Sequence, residues 1–445
     1  MNTLDTTGRV YFPNPDSDPI QGARLYTKEN GLYVEFCYSQ YPPIEKSEII
    51  LGEFNSLGQI TCLFNRYSGG TIGSPDSICR YKISYLFIGH EFPTRKEILF
   101  HTSSFRINTL FDWFNIRTIQ YSSTPNIRID IGPFQKIVFD IKRFKDASFN
   151  FGYSLSFSGQ KTIVCEIVTF NLKTEEPLDY WDFYKAMIDL RKFYMLFTNA
   201  KFDVEQIIFE NQDIKHDFRN KSSNTIKSIK LLNKINDIYP SPSSDFLNLT
   251  YSEIKDYLPN ILSNWYAISQ DNIVIDYLLE KSYNKDLSAR TYFLNMCFAI
   301  EIYHKNHFKK GNLRQAEFSK IKSHLLKVVK NKCALKWLMN KFALGNNPSF
   351  KDRLVFYKNE FDRITNSDST QLINKIVLTR NSIVHSSSSS KKIIKNDIEF
   401  YFTALTIEAI LKCLILADLG LPIENIQGLK ESSKKAIIDL NEINK

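Results

Sequence analysis

Two hydrophobic periods divide the chain near residue 240. Before that point, short segments alternate apolar and polar residues and are separated by Gly, Pro, Asn and Ser, a pattern typical of antiparallel β-strands. After it, apolar residues recur at the 3.6-residue period of α-helices. Strands followed by helices predict an α+β chain of several domains, in which an antiparallel sandwich- or barrel-like β region precedes an all-α bundle.

The β region divides into two predicted parts, residues 1–120 and 121–245. The first contains strands near 8–12, 22–26, 32–36, 49–54, 59–64, 81–88 and 97–105. The second contains strands near 127–131, 136–141 and 162–168, a helix near 178–198, and two strands within 203–235. The stretch from Asn211 to Asn224 is long and polar, and we predict a loop there that is available to a partner.

The helical domain is predicted to cover residues 246–445, after the Pro- and Ser-rich boundary at Pro240–Ser244. Its predicted helices are 251–269, 273–283, 289–307, 313–342, 350–364, 370–385 and 394–419. Gly420 and Pro422 form the stop signal of the last one. Trp337, within 313–342, is predicted to be a core residue.

Composition limits the classes of function. The seven cysteines are scattered, with neither Cys-x-x-Cys nor a histidine at zinc spacing, which predicts free thiols in a reducing cytoplasm and no metal or other cofactor. We find no apolar run of membrane-spanning length and no signal peptide, and so expect no membrane partner. The motifs of P-loop enzymes and of zinc metalloproteases are missing as well.

Positive charge is concentrated in the C-terminal part. The whole chain carries +9, whereas residues 286–445 hold 26 Lys and Arg against 15 Asp and Glu. The predicted helix 313–342 is the most basic stretch, with Glu317 as its one acid. Such a run is commonly a solvated helix face, but a basic excess confined to one domain favours a polyanionic partner. The candidate RNA-backbone ligands are Lys320, Lys327, Lys330 and Lys332.

One short stretch, Arg380-Asn381-Ser382-Ile383-Val384-His385, carries residues suited to phosphodiester chemistry. Arginine offers a permanently charged planar fork that matches phosphate oxygens, and histidine moves protons near neutral pH. On a helix, Asn381 and His385 are four residues apart and share a face. The ordinary alternative is a helix end at which the arginine caps carbonyl groups and the histidine is solvated.

The pattern Arg-Asn-x-x-x-His near the end of a helical domain resembles the catalytic motif of the HEPN superfamily of metal-independent ribonucleases. The stretch Phe293–His304, which contains Glu301 after an apolar turn, resembles the early HEPN helix. Phe350–Leu354, followed by Phe361, resembles the helix before the motif helix. The resemblance covers roughly residues 286–421.

The N-terminal half resembles that of the ApeA family of anti-phage HEPN proteins. The features that carry this resemblance are Gly8, Gly22, Gly52, the Ile-Gly-x-x-Phe pattern at Ile88–Phe92 and the Leu-x-x-Trp element at Leu110–Trp113. The aromatic residues of these strands are expected to form sheet core, with a carbohydrate-binding platform left open as an alternative.

These resemblances imply a mechanism and a setting. His385 acts as general base or acid at the ribose 2′-hydroxyl or the leaving 5′-oxygen, Arg380 stabilises the phosphoryl oxygens, and Asn381 orients His385 or binds substrate. Glu301 either tunes His385 or caps the site. The products are a 2′,3′-cyclic phosphate and a 5′-hydroxyl, and two protomers complete the site in a homodimer or larger homo-oligomer. A phage protein bound by the N-terminal region is the implied activator.

The favoured hypothesis is therefore an abortive-infection endoribonuclease that cleaves cellular RNA, with tRNA as a substrate by analogy. A non-catalytic HEPN module that binds RNA or nucleotide, fused to a ligand- or protein-binding β domain, stays open. So does a β-sandwich binding protein with a helical oligomerisation domain, in which Arg380 and His385 are structural.

Overall fold

The structure is a computed structural model that describes residues 4–426 except for 14–17, 29–30, 39–47, 72–76, 118, 123–127, 133, 159–160, 199–201, 219–220, 233–248, 269–272, 285, 309–313, 386–392 and 423. The chain forms two units. The β-rich unit contains residues 1–194, 200–241 and 258–267, and the helical unit contains 195–199, 242–257 and 268–445. The domain boundaries predicted after residues 120 and 245 stay predictions.

Six strands of the β-rich unit close into a barrel. They are β1 (Asp5–Tyr11), β2 (Ile20–Lys28), β3 (Gly31–Tyr38), β4 (Ile49–Phe54), β5 (Gly58–Thr71) and β6 (Ser77–Ile88). The pairing order is β6-β3-β2-β1-β4-β5, and β5 pairs again with β6. Buried alternate positions such as Val10, Leu25 and Val34 fill the interior. The predicted β-rich, barrel-like region is thereby confirmed.

Two of the glycines in the N-terminal pattern have a steric reason. Gly52 on β4 lies opposite Val10 on β1, and a Cβ atom there would come within 2.6 Å of the Arg9 carbonyl oxygen. Gly89, directly after β6, has φ +116°, a conformation that side chains other than that of glycine rarely adopt. The glycines therefore permit the close β1–β4 approach and the turn after β6.

The sheet continues beyond the barrel through β6. The added strands are β7 (Leu99–Arg106), β10 (Gln135–Phe139), β11 (Asp146–Ser158), β12 (Lys161–Asp179), β13 (Gln206–Phe218) and β14 (Lys221–Leu232). Their order from β6 is β14-β13-β7-β12-β11-β10, while β8 (Ile119–Ser122) and β9 (Arg128–Ile131) form a separate pair. The loop predicted from Asn211 to Asn224 is wrong, because the residues of this stretch that the structure describes, 211–218 and 221–224, belong to the paired strands β13 and β14.

Helices complete the core of the β-rich unit. These are α1 (Phe111–Phe114), α2 (Tyr180–Phe197) up to Tyr194, and α4 (Leu258–Ile268) up to Ala267. The Trp265 indole N–H donates to the Asp189 carbonyl (2.8 Å), and the Tyr266 hydroxyl donates to the Ala186 carbonyl (2.8 Å). Both aromatic side chains are buried, so α4 is part of this core although the last described strand ends at Leu232.

The helical unit contains the remaining helices. They are α3 (Tyr251–Ile254), α5 (Ile273–Tyr283), α6 (Ala289–His307), α7 (Gln315–Val328), α8 (Lys332–Leu344), α9 (Phe350–Phe356), α10 (Lys358–Thr365), α11 (Thr370–His385) and α12 (Asp397–Asp418). The predicted all-α C-terminal domain is confirmed. Three predicted single helices are wrong, since 251–269, 313–342 and 350–364 are each divided in two. In the second case, Asn331 accepts hydrogen bonds from the N–H groups of Cys333 and Ala334 and so starts a new helix.

The central helix α12 packs against α6. Among the described residues it is the one helix long and apolar enough to cross a membrane, and 78% of that apolar window is buried inside the fold. Tyr292 on α6 donates to the Glu408 carboxylate, which also pairs with Lys412 at 2.6 Å. A buried charge pair of this kind, inside a bundle, makes α12 a core helix of the helical unit.

Candidate active site

The predicted motif lies on α11, whose N-terminus is fixed by two carboxylates. Asp368 accepts hydrogen bonds from the N–H (3.2 Å) and hydroxyl (2.6 Å) of Thr370. Asp362 accepts from the N–H (2.7 Å) and hydroxyl (2.6 Å) of Ser369. The buried face of the helix consists of Ile373, Ile376 and Thr379. These contacts fix the rotation of α11 and with it the position of its last turn.

Arg380 is held by two polar partners. Its Nη2 donates to Oε2 of Glu301 at 3.0 Å, and its Nη1 donates to Oδ1 of Asn381 at 3.2 Å. The side chains of Arg380 and Glu301 are 16% and 29% exposed, so water screens this ion pair only in part. The guanidinium is therefore fixed before any ligand binds.

Aromatic rings fix the same guanidinium. The Cζ atom of Arg380 lies 5.1 Å from the ring centroid of Phe350 and 5.9 Å from that of Phe298. Both distances allow a cation–π attraction. The Nε atom of Arg380 is buried and has no hydrogen-bond partner among the residues that the structure describes. A buried donor with no acceptor is costly, so the aromatic and ionic contacts must offset this cost.

Arg353 supports Glu301 from the neighbouring helix α9. Its Nη1 donates to the Glu301 carbonyl (3.0 Å) and its Nε to the Pro348 carbonyl (3.1 Å). The Arg353 side chain is buried. It therefore ties the start of α9 to the C-terminal half of α6 and positions the Glu301 backbone.

His385 is the last residue of α11 and is exposed. Within the part of the chain that the structure describes, it has no hydrogen bond or ion pair. It lies one helical turn after Asn381, on the same face. The Glu301 carboxylate is hydrogen-bonded to Arg380, and within the described part of the chain it forms neither a hydrogen bond nor an ion pair with His385. The catalytic roles of Arg380, Asn381 and His385 and the supporting role of Glu301 stay predictions.

The chain after His385 returns to α11. The Ile394 N–H donates to Oγ1 of Thr379 (3.0 Å), and the same hydroxyl donates to the Lys375 carbonyl (2.7 Å). Thr379 is buried, so the contact lies under the motif turn. The serine run Ser386–Ser390 lies outside the described residues.

A thiol close enough to be influenced by the site is unreactive. Cys297 on α6 is fully buried and is influenced by both Arg380 and Glu301. Burial raises the pKa of the Cys297 thiol well above its ordinary value, which outweighs the attraction of the Arg380 cation. A protonated, buried thiol is a poor nucleophile. In the described residues, no group of three or more His, Cys, Asp or Glu could hold a metal ion.

The candidate RNA ligands lie on or beside α7 and α8, a pair of helices that we call the basic hairpin. Lys320 and Lys327 are on α7, Lys332 starts α8, and Lys330 lies between them, and all four are exposed. Several large apolar side chains of the hairpin are exposed as well: Ile321, Leu325, Val328, Trp337 and Met339. The prediction that Trp337 is a core residue is wrong, since 59% of it is accessible, and its ring contacts Lys341 instead.

Sequence reasoning missed four residues of this site. Phe298 and Phe350 were noted only as parts of helices, although both contact the Arg380 guanidinium. Arg353 and Thr379 were given no role. Each of these residues has a partner between 15 and 82 residues away along the chain, and no local sequence motif indicates such a contact.

Two family models match the chain. The model of ApeA N-terminal domain 1 matches residues 5–265, and the model of the Apea-like HEPN domain matches residues 294–425. The first match ends inside α4 and so includes most of the last segment of the β-rich unit. A search of curated proteins and a search of solved structures found no match.

HEPN domains commonly bind RNA, often dimerise and are generally associated with ribonuclease activity. The second match contains Arg380, Asn381, His385 and Glu301, and the first covers more than half of the chain. The chain therefore belongs to the ApeA family: it is a defence-associated protein with an ApeA N-terminal domain and a C-terminal HEPN domain.

Proposed function

We propose that this protein is a metal-independent endoribonuclease of anti-phage defence. It cleaves cellular RNA, tRNA among the candidate substrates, when the β-rich unit binds a phage component. It acts in the cytoplasm, and the cleavage aborts the infection. The observation that carries the proposal is the fixed, largely buried Arg380 on the helix that ends at the exposed His385.

The contacts of Arg380 suit a phosphate. A guanidinium has five N–H groups, and within the described residues two of them have acceptors, in Glu301 and Asn381. The second N–H groups of Nη1 and Nη2 have no acceptor in the same residues. A non-bridging phosphate oxygen would give these groups charge-assisted hydrogen bonds, which are about twice as strong as neutral ones.

The reaction needs one proton acceptor and one proton donor. The ribose 2′-oxygen attacks phosphorus while its proton passes to a neutral imidazole of His385. The bond from phosphorus to the 5′-oxygen breaks, and an imidazolium supplies the proton that this oxygen takes up. The products are a 2′,3′-cyclic phosphate and a 5′-hydroxyl. Arg380 stabilises the negative charge that develops on the phosphoryl oxygens.

A pair of protomers would complete this chemistry. One His385 then accepts the proton while His385 of the second copy donates the other, so neither histidine has to exchange protons with water within one turnover. Two Arg380 side chains would likewise face one scissile phosphate. We propose this composite site for a homodimer or a larger homo-oligomer.

The test is RNA cleavage in cells and with pure protein. Wild type, Arg380→Ala and His385→Ala are expressed with and without phage challenge, and RNA ends are mapped in EDTA. We expect cleavage by wild type after challenge, with 2′,3′-cyclic ends, and at least a hundredfold less by either variant. Arg290→Ala, an exposed arginine at the start of α6, is the matched control and should cleave as wild type does.

Two results would contradict the proposal. If folded Arg380→Ala and His385→Ala cleave RNA like wild type, the two residues are structural. If wild type binds RNA and never cleaves it after challenge, the chain is a non-catalytic RNA- or nucleotide-binding HEPN module. A denaturation curve of each variant separates loss of chemistry from loss of folding.

A further inference from the structure

A second concave site lies beside Arg380. A pocket of about 830 Å³ opens between the C-terminal half of α6 and the segment that leads into α9. This volume is within the range of about 300–1,000 Å³ that small-molecule sites occupy. The residues that matter here are Phe298, Glu301, His304, Phe308 and Arg353.

The pocket shares a wall with the candidate active site. Phe298 and Glu301 line it, and both also contact the Arg380 guanidinium. The Glu301 carboxylate thus has the pocket on one side and Arg380 at 3.0 Å on the other. A group in the pocket and a phosphate at Arg380 can therefore belong to one extended ligand.

The pocket wall contains polar atoms that lack a hydrogen-bond partner among the described residues, and one of them, Nδ1 of His304, is buried. His304 is 5% exposed, and its Nδ1 has no hydrogen-bond partner among the described residues. Arg353 is 9% exposed, and its Nε and Nη1 hold two backbone carbonyls, which leaves Nη2 without a partner in the same residues. Burial lowers the pKa of His304, and the Arg353 cation lowers it further, so this imidazole is neutral near pH 7. A neutral imidazole can donate to or accept from a polar edge.

Aromatic rings complete the pocket. The His304 and Phe308 rings lie 4.9 Å apart at an interplanar angle of 30°, and Phe308 is 39% exposed. Among the described residues of the lining, Glu301 is the only acid, and it is paired with Arg380; the other charged groups there, Lys305 and Arg353, are cationic. Exposed rings beside edge-reading polar groups and cations are the means by which proteins bind unstacked RNA bases.

We propose that this pocket receives one unstacked base of the RNA, next to the phosphate held by Arg380. The inference rests on the function proposed above. The base stacks on Phe308, its polar edge meets His304 and Arg353, and its ribose phosphate leads to Arg380. The pocket then selects which nucleotide flanks the scissile bond.

The experiment measures RNA binding by the full-length chain with His385→Ala, which cannot turn the RNA over. The probes are a short single-stranded RNA and a set of the same RNA with an abasic ribose moved along it one position at a time. We expect one position at which the abasic ribose weakens binding between about fivefold and a hundredfold. At that position all four bases are also compared.

Pocket variants assign that position. Phe308→Ala should remove most of the difference between intact and abasic RNA, and His304→Phe, which keeps a ring but no ring nitrogen, should reduce the discrimination among bases. Val355→Ala on α9 is the control, since Val355 is exposed and is not a residue of the pocket wall. Denaturation curves show whether each variant is folded.

Three outcomes separate this inference from the proposed function. If the base-dependent loss occurs and disappears in the pocket variants, the inference stands. If wild type cleaves RNA but the abasic scan is flat, or is unchanged by Phe308→Ala and His304→Phe, the pocket is not a base site and the nuclease proposal stands alone. If wild type neither binds nor cleaves RNA, both proposals are overturned.

Discussion

Arg380 combines an ion pair with aromatic contacts, and this decides what a substitution there would do. Arg380→Lys would keep the charge but lose the planar fork that reaches Glu301 and Asn381 together. A lysine point charge would also lie less favourably beside Phe350. At this position, lysine is therefore not a conservative replacement for arginine.

Glu301 is the ion-pair partner of Arg380, and its replacement tests what this pair contributes. Glu301→Gln would keep the shape of the side chain but remove the charge that holds Nη2, so Arg380 would lose its fixed position. We expect kcat to fall about tenfold with little change in KM, at a loss of about 1 kcal/mol in the free energy of unfolding. RNA cleavage kinetics and denaturant unfolding measure the two effects.

Glu360→Gln is the matched control for that prediction, because Glu360 forms an ion pair with Arg363 on α10, away from the motif turn. It should leave kcat unchanged. Equal losses of kcat in both variants would mean that Glu301 contributes only to folding.

The stability of the first turn of helix α11 depends on ionised carboxylates. Lys358, then Thr370, lowers the pKa of Asp368 to about 2, from an ordinary value of 3.8. Because the pKa in the folded state is lower than in the unfolded state, the stabilisation is fully present above pH 3.8 and is lost as pH falls towards 2. Acid would therefore loosen the N-terminus of the helix that carries Arg380.

Asp368→Asn tests this dependence. The difference in unfolding free energy between wild type and Asp368→Asn should be constant above about pH 5 and shrink between pH 4 and 2. Denaturant unfolding at each pH measures it, with the exposed Asp256→Asn as the control. A difference that does not change over this pH range would contradict the assignment.

The basic hairpin leads to a prediction about salt. The candidate RNA ligands Lys320, Lys327, Lys330 and Lys332 are all exposed, and each would release counterions on binding a phosphate. Each Lys→Gln substitution should then make the slope of log K against log salt less steep by about 0.7 for single-stranded RNA. Binding titrations at several salt concentrations measure this slope, and Lys142→Gln, exposed in the β-rich unit, should leave it unchanged.

The bounds of some helices and strands could be predicted from the sequence, and those of others could not. Helices α6 and α11 match their predicted bounds because amphipathic periodicity and caps agree there. The predicted helix 313–342 failed because its apolar period runs through Asn331, where a local cap starts a new helix. The polar part of β13 and β14 was missed because a hairpin that extends beyond the core needs no apolar alternation.

The residues of the candidate site also fall into those that the sequence indicates and those that it does not. Arg380, Asn381 and His385 are recognisable because they are close together in sequence. The Arg380–Glu301 pair joins residues 79 positions apart, and the closing β5–β6 contact of the barrel depends on strand register. Such contacts result from packing, and neither a motif nor a period encodes them.

The β-rich unit requires α4 to complete its hydrophobic core. Ile261, Leu262 and Trp265 are fully buried there, and each such side chain contributes about 1.5–3 kcal/mol. A truncated chain of residues 1–245 would lack them, and this loss is comparable to the total stability of a typical domain, about 5–15 kcal/mol. We expect residues 1–245 to be unfolded or poorly folded and residues 1–268 to unfold cooperatively.

Thermal unfolding followed by circular dichroism compares the two truncated chains. Trp265→Ala in residues 1–268 is an intermediate case and should lower the melting temperature without abolishing the transition. Equal melting temperatures for 1–245 and 1–268 would show that α4 is dispensable to the β-rich unit.

The position of α4 also sets an order of events on the ribosome. The last segment of the β-rich unit ends at Ala267, about a hundred residues before Arg380 is added. At a synthesis rate of about 5–20 residues per second, this unit has roughly 5–20 seconds to fold before the motif helix exists. If the β-rich unit inhibits the nuclease until a phage component binds, the inhibitory unit folds before the motif helix has been synthesised. The cell would then be protected from its own defence protein during translation.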